Sequence, residues 1–326
     1  MLVMKYSLSC CIVLLIAAVS QAADDGKGTY TDPKTAPASL QIQGEYEGVG
    51  KENETYGAQI IALGDGKFHL ISYQGGLPSA TQSHKDPFLE LDGEMKDGKA
   101  IFDYKEAMVK IVVGEGKLDV VNASGETVAS INRQVRKSPT LGAKPPQDAI
   151  VLFDGGNADA FVKGQVDDGL LLANCFTKET FGDHHLHLEF RTPYKPAARG
   201  QGRGNSGVYV QSRYEVQVLD SFGLSGESNE CGGIYKVAKP NVNMCFPPLQ
   251  WQTYDIDFTA ARYNDAGEKT ANARITVRHN GVVIHDDIEL PKHTPGRNQE
   301  GPKEDALYLQ GHGNPVYYRN IWVVKK

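Results

Sequence analysis

After residue 40 the chain alternates apolar and polar positions with period two, and almost nowhere with the period of a helix, which predicts short antiparallel strands. Six such runs follow one another: Tyr56 to Ala62, Lys67 to Tyr73, Leu89 to Met95, Lys99 to Tyr104, Met108 to Val113 and Lys117 to Val121. Asp65-Gly66 and Asp97-Gly98 join neighbours by two-residue turns, which need positive φ at both central positions. Residues 40–136 therefore read as a small antiparallel β-meander domain. Pro139, Pro145 and Pro146 break the alternation and mark residues 137–148 as a linker. Alternation then resumes in longer runs: His185 to Arg191, Gly207 to Gln211, Tyr214 to Leu219, Trp251 to Phe258, Ala273 to His279, Val282 to Ile288, Leu307 to Gln310 and Val316 to Val324, with a further turn at Asn280-Gly281. Residues 149–326 thus predict two antiparallel sheets packed as a sandwich or jelly roll, in an all-β chain.

The start of the chain has a different pattern. Met1 to Lys5 carries one positive charge, Leu8 to Val19 is nearly all apolar, and Ser20-Gln21-Ala22 ends in small residues, the sequence of a secretory signal peptide over 1–22. A polar linker over 23–39 follows. A secreted or periplasmic protein is expected, with no transmembrane segment, because no later run nears the ~20 apolar residues a spanning helix needs. Cys10 and Cys11 leave with the signal, so Cys175, Cys231 and Cys245 remain. Two arrangements fit them: a Cys231 to Cys245 disulfide with Cys175 left over, or three buried free thiols.

Composition narrows the function classes. With 34 basic and 40 acidic side chains the net charge is −6, which argues against a nucleic-acid-coating protein. The 35 glycines and 16 prolines suit many short strands joined by tight turns.

Candidate chemistry lies on the polar sides of the strands. His185, His187, Glu189 and Arg191 share one side of their strand, and Leu186, Leu188 and Phe190 the other. Tyr209 and Gln211 share a side, as do Glu215 and Gln217. If these strands are neighbours in one sheet, Glu189, Arg191, Tyr209, Gln211, Glu215 and Gln217 make one polar, aromatic patch suited to a sugar, with the solvated outer face of a sheet as the alternative. Glu215 and Asp220 could supply the carboxylate pair of a glycoside hydrolase, with Glu189 and Arg191 a plain ion pair. His185 and His187 have a spacing that can grip a divalent metal, without an evident third ligand. His69 and His84 read as surface or half-buried strand residues. Gly200 to Gly207 is no dinucleotide loop, because no helix follows it. His312, between glycines at a strand end, can swing into a cleft as a proton-transfer group.

The second domain resembles the 3-keto-disaccharide hydrolase family, with its concanavalin A-like lectin/glucanase fold. The resemblance rests on Val151-Leu152-Phe153-Asp154-Gly155, Leu188-Glu189-Phe190-Arg191, Gly204-Asn205-Ser206-Gly207-Val208-Tyr209 and Tyr214-Glu215-Val216-Gln217-Val218-Leu219-Asp220. Gly233-Ile234-Tyr235, Trp251, Asn280-Gly281, Leu309-Gln310 and Arg319-Asn320-Ile321 continue it. Two departures stand out: Ala197 to Arg203 looks inserted, and Ala160-Phe161 stands where the family usually has a Trp. The first domain has no counterpart in the family's core pattern.

The resemblance implies cleavage of glycosides oxidised at sugar carbon 3, by loss of the C2 hydrogen, elimination and hydration. It implies Glu215 or His312 as base or acid, Arg191 on the developing enolate, and Asn205, Tyr209, Gln217 and Gln310 on hydroxyls, with Asp220 and Tyr235 further site candidates. No cofactor follows with certainty, and a divalent metal on the ketone oxygen is compatible with the scheme. The expected partner is an oligosaccharide or glycoside, with no nucleic acid. A non-catalytic, lectin-like carbohydrate-binding module is the alternative, and a two-carboxylate glucanase a third reading.

Overall fold

In the computed structural model, residues 28–50, 53–81 and 87–326 are described. The signal-peptide segment and His84 lie outside them. The described residues between 44 and 134 form eight antiparallel strands in sequential order, and the first, Gly44–Val49, pairs with the last, Thr127–Gln134, to close a barrel. Closure removes the two unpaired edges an open meander would present. Tyr46, Ile60, Phe68, Leu70, Phe102 and Val113 fill the interior. The turn chemistry is that of type I′ hairpins: φ is 50° and 71° at Asp65-Gly66, 51° and 78° at Asp97-Gly98, and 50° and 80° at Asn280-Gly281.

Two large antiparallel sheets and a two-stranded ribbon, Arg262–Tyr263 with Lys269–Ala271, make the second half. One has five strands in the order Phe161–Val162, Cys175–Phe181, Asp305–Leu309, Ser206–Val210, Tyr214–Val218. The other has eight, with His184–Arg191 flanked by Gln252–Thr259 and Tyr317–Lys325. The sheets pack through Leu186, Leu188, Phe190, Tyr254 and Ile256 of the larger and Val208, Val210, Val216, Val218, Leu307 and Leu309 of the smaller. Burying these side chains contributes roughly 1.5–3 kcal/mol each. The fold class read from the alternation is the observed one.

Barrel and sandwich share apolar contacts. Ile61, Ile71 and Tyr73 of the barrel join the sandwich core, and Tyr194 of the sandwich joins the barrel core. Gly223 is required here: it has φ +78°, and a Cβ on it would sit 2.5 Å from Ile61. Cys175, Cys231 and Cys245 are buried free thiols, and Cys231 Sγ lies 3.3 Å from the Tyr254 hydroxyl. Among the described residues no helix is long and apolar enough to cross a membrane.

Candidate functional site

The outer side of the five-stranded sheet carries a row of cross-strand neighbours. Phe176 is opposite Tyr308, Tyr308 opposite Tyr209, and Tyr209 opposite Glu215. Tyr235 extends the row, because Ile234 bridges Val216 and the Tyr235 amide bonds to the Glu215 carbonyl at 3.1 Å. Two residues along each strand lies a second row on the same side, Gln310, Gly207 and Gln217. Asn205, two before Gly207, completes it. This arrangement follows from the alternation, which points Val208, Val210, Val216 and Val218 into the core and leaves the polar partners outside.

Glu215 is the centre of this face. Its Oε2 accepts the Tyr209 hydroxyl at 2.6 Å, and Gln310 Nε2 donates to that hydroxyl at 3.3 Å. Gly207 leaves room for the carboxylate, since a Cβ there would lie 2.4 Å from Glu215 Oε1. The glutamate is 2% exposed, and burial pushes its pKa up to about 7 against the opposing pull of the Tyr209 bond. A carboxyl that titrates near neutrality can both take and return a proton. Gln217 Nε2 donates to Asn205 Oδ1 at 3.1 Å, and Gln201 Oε1 accepts from Asn205 Nδ2 at 3.0 Å and from Gln217 Nε2 at 3.2 Å. At the other end Phe176 and Tyr308 stack with centroids 4.3 Å apart, and the Arg297 guanidinium lies 4.3 Å from the Tyr308 ring.

The sequence-predicted residues divide into those the fold gathers and those it separates. Glu215, Tyr209, Gln217, Asn205, Gln310 and Tyr235 share the face. His312 stands exposed just beyond Gln310, in a loop tied to the Asn205 end because Asn314 Oδ1 accepts the Gly204 amide at 3.3 Å. Glu189 and Arg191 are on the other sheet, so the single patch expected from three strands does not form. Residues 138–142 cross that outer surface: Thr140 bonds to Asp255 at 2.7 Å, and the Gly142 amide bonds to Glu189. Glu189 is buried there in an ion pair with Arg319 at 2.6 Å. Arg191 packs its guanidinium 5.0 Å from the Trp251 ring, and burial lowers its pKa.

Gln211 also leaves the face, because the strand ends at Val210 and Gln211 turns with φ 50°, bonding Phe181 O at 2.9 Å. Asp220 is buried against Arg203 at 2.7 Å beside the barrel, its pKa raised by burial, and forms no pair with Glu215 on the sheet. His185 and His187 bond Asp257 and Asp255 at 3.0 and 2.6 Å, and among the described residues no group of three or more His, Cys, Asp or Glu could hold a metal. His69 is a half-buried strand residue bonded to Asp92 at 2.8 Å.

Four residues of the face escaped sequence reasoning. Tyr308 was legible, since it lies two before Gln310 on one strand. Phe176, Arg297 and Gln201 were not, because a bulge between Phe176 and Thr180 breaks the alternation of one strand and the other two residues lie outside strands.

Residues 148–324 match the family described as the 3-keto-alpha-glucoside-1,2-lyase-like domain. A crystal structure from Parabacteroides distasonis ATCC 8503, provisionally named a glycosyl hydrolase, is 33% identical over 56% of this chain and 85% of its own, with a TM-score of 0.52. A second, provisionally so named and from the same organism, is 21% identical over 55% of this chain and 99% of its own, with a TM-score of 0.40. No curated protein matches.

Proposed function

The chain belongs to the 3-keto-alpha-glucoside-1,2-lyase-like domain family, and from that premise we propose that it is a carbohydrate-active enzyme that cleaves glycosidic bonds of 3-keto-glycosides by elimination and hydration. The observation that carries the reading is Glu215, a buried carboxyl with its pKa pushed up to about 7, set among amides and aromatic rings on one sheet face.

A C3 ketone acidifies the C2 hydrogen. Glu215 as carboxylate takes that proton, and the C2–H electron pair moves into an enolate on the ketone oxygen. The enolate collapses to form C1=C2, the C1–O bond breaks, and the leaving oxygen takes a proton from His312 at the rim. Water then adds at C1, giving up a proton that restores His312, and Glu215 returns a proton to C2. Asn205, Gln217 and Gln310 supply amide groups for sugar hydroxyls, and the partly exposed Tyr235 ring an apolar surface for the ring's C–H face. Arg297, beside the Phe176 and Tyr308 rings, takes the enolate-stabilising role that the resemblance gave to Arg191. With residues 1–22 read as a signal peptide, the proposed substrate is a glycoside met outside the cytoplasm.

The test is turnover of a 3-keto-disaccharide by the wild-type protein and by Glu215→Gln. Loss of turnover with retained folding supports the role of Glu215, whereas undiminished turnover removes it. The aromatic row would also serve a lectin-like module, and glycan binding without bond cleavage would select that reading.

A further inference from the structure

Residues 195–204 touch the barrel on one side and the Glu215 face on the other. Arg203 is 5% exposed and donates to Ala62 O of the barrel at 3.1 Å, to Gln43 Oε1 at 3.4 Å, and within its own loop to Pro196 O at 3.0 Å. Its Nε bonds Asp220 at 2.7 Å. One planar guanidinium therefore fastens three segments at once, which a lysine ammonium cannot do in a fixed fork. Arg199, exposed, adds a bond from Nη2 to Leu63 O at 2.8 Å. Gly64 lies so close that a Cβ on it would be 2.9 Å from Ala197. The three consecutive barrel residues Ala62, Leu63 and Gly64 thus grip the loop through backbone atoms.

The loop's other contact is Gln201. Its Oε1 accepts from Asn205 and Gln217, and its Nε2 donates to Asn229 O at 2.7 Å. Accepting from both amides fixes which end of each points where, so the hydrogen-bond direction of Asn205 and Gln217 depends on the position of Gln201. An unsupported surface loop would hold such a side chain poorly, because ordering its backbone costs roughly 1–2 kcal/mol per residue.

We infer that the barrel is a positioning domain for the sugar face: through Arg203 and Arg199 it holds the 195–204 loop so that Gln201 orients Asn205 and Gln217. Gln201 is a positioning residue, since it acts through those two amides. The inference rests on the proposed function in taking this face as the substrate site.

Amide hydrogen exchange on the full chain reads the structural part. Arg199→Ala and Arg203→Lys should speed exchange across 195–204 while the barrel strands stay protected, and unchanged exchange there overturns the inference. Steady-state kinetics with 3-keto-trehalose reads the functional part. Gln201→Ala should raise KM by up to about tenfold, the loss of a net hydrogen bond, with kcat changed little. If Arg203 acts through Gln201, adding Arg203→Lys to Gln201→Ala should raise KM no further, whereas additive losses overturn the link. Should Arg203→Lys not fold, Arg199→Ala combined with Gln201→Ala makes the same comparison. A wild-type protein that leaves 3-keto-trehalose intact would count against the proposed function, and exchange would still decide whether the barrel holds the loop.

Discussion

The Tyr209 hydroxyl donates to Glu215 Oε2 at 2.6 Å, across the strand pair that sets these two residues opposite one another. The bond favours the ionised carboxyl and partly offsets burial, which dominates and leaves the pKa at about 7. Tyr209→Phe removes the offset, so the Glu215 pKa should move further up. A base must be ionised to act, and the acidic limb of the kcat/KM profile should shift to higher pH. A pH–rate series on the two proteins checks this, and an unmoved limb would show that the tyrosine does not tune the base.

Glu215 also links pH to stability. Its folded pKa lies above the ordinary value of 4.5, so its favourable contribution is complete below about pH 4.5 and is lost as pH rises through about 7. Glu215→Gln replaces a carboxylate that is ill-solvated at pH 8 with a neutral amide. The variant and wild type should unfold alike in urea near pH 4.5, and the variant should be the more stable at pH 8, by at most on the order of 3 kcal/mol. Parallel stabilities at both pH values would mean that the carboxylate is not desolvated.

Glu189 should behave as a structural residue. Removing it leaves Arg319 without its carboxylate and the Gly142 amide without its acceptor. Because Arg319 is partly exposed, Glu189→Ala should cost about 2–3 kcal/mol, at or below the usual range for a fully buried pair. Denaturant unfolding measures the cost, and KM for a keto-sugar should stay at the wild-type value.

His312→Ala tests the leaving-group acid. Turnover should fall about a hundredfold on a disaccharide, whose leaving alkoxide needs a proton, and far less on a 3-keto nitrophenyl glycoside. Equal losses on the two substrates would assign His312 to binding instead.

Period-two alternation made the strands and the side of each side chain legible, so Glu215, Gln217 and Tyr209 could be grouped before any pairing was known. What it could not convey is which strands share a sheet. His184–Arg191 pairs with Gln252–Thr259 and Tyr317–Lys325, each distant in sequence, and that pairing carried Glu189 and Arg191 away from Glu215. The barrel's first and last strands were missed for a related reason. Gly44–Val49 turns the buried Glu45 toward Arg136 and Gln59, and Thr127–Gln134 is largely exposed, so neither shows a clean apolar stripe. Asp220 fits the carboxylate spacing of a hydrolase in sequence, yet Arg203 holds it at the barrel.

The central claim is elimination from a 3-keto sugar with Glu215 as the base. Incubation of the protein with 3-keto-trehalose and with trehalose in deuterated water, followed by NMR and mass spectrometry, tests it most directly. Cleavage of the keto form alone, and none by Glu215→Gln, is the predicted result, with deuterium at C2 of the released keto-sugar to the extent that the Glu215 proton exchanges with solvent before it returns. Cleavage of unoxidised trehalose, or cleavage of the keto form by Glu215→Gln at the wild-type rate, would contradict the account.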